Sequence, residues 1–127
     1  MKANKGRPRD PERALHMPTV ARNIEQFLHG KTFGEFTADI LLQSGVERQF
    51  EILGEAASHV SPDTQRLWPS IDWQGTKDFR SLIAYEYFRV DLAKLWQISQ
   101  DIVPGLRLIL EDLFADLNRQ FGPDARV

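Results

Sequence analysis

Apolar residues recur at helical spacing along most of this chain, and no alternating run bounded by hairpin-type turns interrupts them. Asp10-Pro11-Glu12 combines a helix-capping residue, a first-turn proline and a first-turn acid, which predicts a helix from about Asp10 to Leu28 closed by Gly30. Pro18 falls inside it and predicts a kink or a restart, because it removes a backbone donor and crowds the preceding turn. Thr32 is placed to cap a short turn carrying Phe33 and Phe36. A long helix is then predicted over roughly Glu35 to Val60. Its buried stripe is Val46, Phe50, Leu53, Ala57 and Val60, at steps of four and three. A second stripe carries Arg48, Ile52, Glu55 and His59, and Ser61-Pro62 is read as the end of this helix.

A connector with one short helical turn follows from Pro62 to Trp73. Its Trp68 and Trp73 read as plugs for the end of a bundle, given the large area each can bury. Base stacking is the alternative use of such rings. The next helix is predicted from Asp72 to Tyr87, with a break at Phe88-Arg89-Val90. Asp91 then caps a helix from Leu92 to Gln100, and Asp101 reads as a second cap ahead of Pro104. The last helix carries the stripe Leu106, Ile109, Leu110, Leu113 and Leu117 and stops at Gly122-Pro123. Long helices with short connectors predict an all-α, up-down helical bundle of four principal helices plus short pieces. Residues 10–121 are expected to form that domain, residues 1–9 a disordered basic leader, and residues 122–127 a tail.

Composition narrows the chemistry. The chain has 127 residues and no cysteine, so disulfides, thiolate metal sites and cysteine nucleophiles are excluded. That usage fits a reducing compartment. No apolar run approaches the ~20 residues needed to span a bilayer, and no apolar signal-type segment follows the basic N-terminus. A cytoplasmic protein is expected. Net charge is −2, unevenly spread: the first 13 residues carry five Lys or Arg against two acids, and the remainder eleven against sixteen. An acidic body argues against broad nucleic-acid coating. It leaves room for a small site where a few arginines meet one phosphate. The leader reads as a solvated tail, with a contact to RNA or a partner as the other reading.

The segment Arg80-Ser81-Leu82-Ile83-Ala84-Tyr85-Glu86-Tyr87 is the most informative. Arg80, Ala84 and Tyr87 share a helix face, whereas Tyr85 lies about 140° from Arg80. By pattern alone Arg80 could equally be a surface or salt-bridged arginine. Arg48 likewise could form an ordinary helix pair with Glu51 or Glu55.

Three motifs, in order and spacing, carry a resemblance. They are Val46-Glu47-Arg48-Gln49-Phe50-Glu51-Ile52-Leu53-Gly54-Glu55-Ala56, then Trp68-Pro69-Ser70-Ile71-Asp72-Trp73, then Arg80 to Tyr87 followed by Asp91 and Trp96. From about Val20 to Leu117 the chain resembles the HepT-like toxins of the HEPN superfamily. These pair with a nucleotidyltransferase antitoxin of MntA type. The resemblance implies a HEPN-like fold and a metal-independent endoribonuclease, needing no cofactor, with a site at R-x-x-x-x-H.

The chemistry asked of that site is clear. Attack by the neighbouring 2′-hydroxyl needs a group that moves a proton near neutral pH, for which histidine suits. It also needs cationic donors on the developing phosphorane, which arginine supplies. Arg80 matches the family arginine, and Ser81 falls where a small polar residue, usually Asn, is preferred. Arg48 matches an arginine lining the cleft. Tyr85 stands in place of the histidine. A phenol of ordinary pKa ~10 is protonated at neutral pH and is a poor base, though it can donate a hydrogen bond. The resemblance thus implies a ribonuclease by ancestry whose usual proton carrier is replaced.

His59 shares a stripe with Arg48 and is the candidate substitute; His16 and His29 lie outside the matched motifs. Tyr87 matches the tyrosine to which the antitoxin transfers AMP, which would block the site by bulk and charge. A tyrosine packing at a helix end is the plain reading of the same residue. The resemblance further implies a two-fold homodimer with RNA as substrate. The competing readings are a catalytically silent binding module that keeps the fold and partner surface, and a nucleotide-binding protein using Arg48 and Arg80 on a phosphate.

Overall fold

The computed structural model describes residues 10–84 and 90–121. Every regular element among them is a helix: α1 Asp10–Leu28, α2 Phe33–Ala38, α3 Ile40–Ser58, α4 Pro62–Leu67, α5 Trp73–Ala84, α6 Leu92–Asp101 and α7 Val103–Phe121. The four principal helices are α1, α3, α5 and α7. Helix α1 packs against both α3 and α7, α3 also packs against α5, and α6 rests on α7.

The predicted stripes are the faces that pack. Val46, Phe50, Leu53 and Ala57 of α3 are completely buried, and Leu106, Leu110, Leu113 and Leu117 of α7 are buried. Helix α1 adds Met17, Val20, Ala21, Ile24 and Leu28. Each large aliphatic side chain so buried contributes roughly 1.5–3 kcal/mol of transfer free energy, against the entropy of ordering it. Phe50 meets Phe79 of α5 edge-on, with ring centroids 5.2 Å apart, an arrangement that suits the ring quadrupoles. Trp73 is buried and its indole N–H donates to the carbonyl of Trp68 at 3.0 Å. The two connector tryptophans therefore close the end of the α3–α5 pair.

Local signals at four points compete with the longer pattern. Of the kink or restart expected at Pro18, the restart does not occur: α1 runs unbroken through it. The proline side chain is fully buried, and that packing offsets the hydrogen bond it removes. The expected single helix over Glu35 to Val60 is two helices. Asp39 adopts an extended conformation (φ −118°, ψ 96°) and its carboxylate accepts from the Leu42 N–H, so it ends α2 and caps α3. That helix also stops at Ser58, and Ser61 instead caps α4. Asp101 is the last residue of α6 rather than a cap; the break before α7 falls at Ile102.

Other caps form where the sequence places them. Thr32 and Glu35 make a reciprocal capping box. Gly30 takes the positive φ of 74° that closes α1. Asp91, the acid downstream of the Arg80 segment, accepts from the Lys94 N–H and starts α6. Trp96 packs its ring against Phe33 and Phe36 at 5.9 and 5.8 Å.

Candidate functional site

The polar stripe of α3 faces a cleft shared with α1 and α5. Its position depends on Gly54. A Cβ there would lie 2.6 Å from the backbone nitrogen of Arg80 and 2.9 Å from the Arg80 Cβ. The missing side chain therefore lets α5 seat directly on α3 at Arg80.

From that seat the Arg80 guanidinium reaches Glu55, the next residue on α3. Nη1 donates to Oε1 at 2.8 Å. The other carboxylate oxygen, Oε2, bonds Nε2 of His59 at 2.8 Å. Glu55 is thus a two-sided bridge between an arginine of α5 and a histidine one turn along α3. Hydrogen bonds from Arg80 and then from His59 hold its carboxyl below the usual carboxylate range. Two turns before Glu55, Arg48 donates to Glu51 at 3.1 Å.

Arg48, Glu51, Glu55 and Arg80 line a cleft of about 480 Å³ with His16, Ile52 and Ala56. Two of the site residues expected from sequence, Arg80 and Arg48, are brought together there. Arg48 is at once a helix ion pair and a lining residue, so its two readings coexist. Ser81 is half-buried beside Arg80 but does not line the cleft. Tyr85 and Tyr87 lie outside the described residues. His59 is engaged by Glu55 and does not line the cleft.

His16 is the lining residue that motif reading missed. It stands one turn before Val20 on the row Val20, Ile24 and Leu28, all of them buried. An exposed histidine extending a buried row by one turn is the signal that marks it as the rim of a groove. His29, the third histidine, lines a different cleft between α1 and α7 with Arg22, Glu25 and Arg107. There the charges are paired with one another: Arg22 with Glu111 at 2.8 Å, and Arg107 with both Glu25 and Glu111. In the first cleft, by contrast, Arg48 and Arg80 are each held by one exposed carboxylate and can exchange that partner for a phosphate, because the bond to an exposed carboxylate is weak.

The model of the family described as Ribonuclease HepT-like matches residues 17–113. The chain belongs to the HepT-like family. A protein of Thermococcus cleftensis named "Probable ribonuclease HepT" is 34% identical over 90 residues, covering 71% of this chain and 82% of that protein. Two Methanocaldococcus jannaschii proteins, each named as a "Putative RNase", are 26% and 28% identical over 91 and 96 residues. They cover 72% and 76% of this chain, and 84% and 79% of their own lengths. No solved structure matches. The matched span of this HepT-like chain takes in Arg48, Gly54, Glu55 and Arg80. It begins one residue after His16.

Proposed function

We propose that this HepT-like chain is a metal-independent endoribonuclease acting as the toxin of a type VII toxin–antitoxin pair. The observation that carries the reading is the placement of Arg80, the arginine of the family motif, beside Arg48 in one open cleft. Two guanidiniums in such a cleft suit a phosphodiester whose negative charge grows as the 2′-oxygen attacks. Family membership and relatives named for ribonuclease activity support the same reading.

In this reading a nucleotidyltransferase antitoxin of MntA type neutralises the toxin by moving AMP onto the Tyr87 hydroxyl. The added phosphate and base would exclude RNA by bulk and charge. The working form is a homodimer; exposed Ile40, Leu41, Leu67 and Leu108 are apolar surface that association would cover. No described helix is long and apolar enough to cross a membrane, and cytoplasmic RNA is the substrate proposed.

One feature favours a second reading. Tyr85 occupies the motif position where a histidine would move the proton, as expected of a silent module that keeps only the dimer and antitoxin-binding surface. Incubating the full chain with RNA separates the two. Cleavage that disappears in Arg80→Ala supports the ribonuclease. Cleavage that arises only in Tyr85→His supports the silent module, and no cleavage by either chain overturns the ribonuclease reading. Mass spectrometry of the chain after co-expression with the antitoxin tests AMP on Tyr87, and its absence there removes that part of the proposal.

A further inference from the structure

The ribonuclease reading leaves one chemical role without an obvious owner, the group that takes the proton from the 2′-hydroxyl. Three histidines compete for it. His59 is engaged by Glu55 and points its Nε2 to a carboxylate that also serves Arg80. His29 opens onto the other cleft. His16 lines the same cleft as Arg48 and Arg80, is exposed, and has no hydrogen-bond partner among the described residues. It comes from α1, whereas the arginines come from α3 and α5, so the cleft gathers an imidazole and two guanidiniums from three separate helices.

We infer that His16 is the proton-transferring residue of this site. The inference rests on the ribonuclease reading and adds to it a residue outside the span matched to the family. A phosphodiester held by Arg80 and Arg48 presents its neighbouring ribose to the α1 side of the cleft. Neutral His16 accepts the 2′-hydroxyl proton as that oxygen forms its bond to phosphorus. The bond from phosphorus to the 5′-oxygen breaks, and the departing oxygen takes a proton from water. The products are a 2′,3′-cyclic phosphate and a 5′-hydroxyl, with no change of oxidation state.

The surroundings fit a histidine that must change charge. Glu51 and Glu55 of α3 bring two carboxylates to the cleft, and Arg48 of α3 and Arg80 of α5 bring two cations. Each arginine is paired, so the imidazolium formed on His16 meets a balanced rather than a cationic lining. Histidine is also the side chain type best suited to moving a proton near neutral pH.

The test is RNA cleavage by the full chain and four variants, with the ends of the fragments analysed. Wild type should cleave to 2′,3′-cyclic phosphate ends. His16→Gln should lose about 100-fold or more in single-turnover rate, the scale of general acid–base catalysis. Added imidazole should restore part of that loss, which it would not do for a structural defect. His29→Gln, on the other cleft, should stay within about tenfold of wild type by the same measure. His16 is exposed, so thermal melts of wild type and His16→Gln should coincide. If His16→Gln cleaves like wild type while Arg80→Ala is inert, the inference about His16 fails and the ribonuclease reading stands. If cleavage appears only in Tyr85→His, the inference fails as well. If no chain cleaves, both fall.

Discussion

At the level of single residues, Glu55 ties the site together, and its carboxylate has two obligations. Arg80 and His59 each bond a different oxygen, and both bonds favour the ionised form. A carboxylate whose folded pKa is depressed adds stability that is fully present above its ordinary pKa. That stability disappears as pH falls through the depressed value. The residue is about half exposed, so water and salt screen the effect. Glu55→Gln should therefore lower stability near pH 7 by only ~0.2–1 kcal/mol, the usual range for exposed pairs. Urea unfolding of both chains at neutral and at strongly acidic pH checks the sign: the gap should close in acid. A gap unchanged by acid would mean that the carboxylate's charge is not what holds Arg80. The pairing itself was only half legible in the sequence. The helix period put Arg48, Glu55 and His59 on one stripe, but nothing local says that the arginine bonding Glu55 lies 25 positions away on α5. His16 was missed for the same reason: its row on α1 is readable, the neighbour across the groove is not.

The contact of α3 with α5 turns on one missing methyl group. Gly54 costs helix propensity, and alanine at an open helical site would regain up to ~1 kcal/mol. At Gly54 the new Cβ would press on the backbone and Cβ of Arg80, at 2.6 and 2.9 Å, and backbone cannot swing aside. Gly54→Ala should lower stability by about 1–3 kcal/mol, as overpacking does, and should displace Arg80 from the cleft. Gly45 lies in the same helix and is the matched control. A Cβ there would meet only the ring of Phe27 at 3.4 Å, an ordinary contact with the end of a half-exposed side chain. Gly45→Ala should raise stability by up to ~1 kcal/mol. Thermal melts of the pair check the contrast, and equal effects at the two sites would refute it. The elements themselves were largely readable, because their caps and stripes are local: Thr32, Asp91 and the leucines of α7 all act within a few residues. The split at Asp39 had a local signal too, an aspartate before an apolar run. The longer amphipathic pattern overrode that signal, although the cap is what the backbone obeys. Asp39→Ala should accordingly destabilise α3 by ~0.5–2 kcal/mol, measured by the same melts.

Over the whole molecule, charge sets how RNA would be held. The body beyond residue 13 carries sixteen acids against eleven bases, so most of its surface repels a phosphate backbone. The arginines of the cleft are local exceptions, each already paired with a carboxylate. RNA binding by such a protein draws on few phosphate contacts, and the number of contacts is measurable, because each one releases counterions from the strand. For single strands the slope of log affinity against log salt is about −0.7 per contact. Two arginines, Arg48 and Arg80, then give a slope of about −1.4 by that rule. The N-terminal residues supply the alternative, since Lys2, Lys5, Arg7 and Arg9 precede the first acid. If they join the contact, the number of phosphates engaged rises to six and the slope steepens to about −4. Binding titrations of a short single-stranded RNA over a range of salt, with Arg80→Ala to prevent turnover as well as remove one contact, distinguish these cases. A shallow slope that flattens further in the variant assigns RNA recognition to the cleft. A steep slope that survives the loss of Arg80 assigns most of the binding to the basic leader, and leaves the cleft to act on whatever strand the leader delivers.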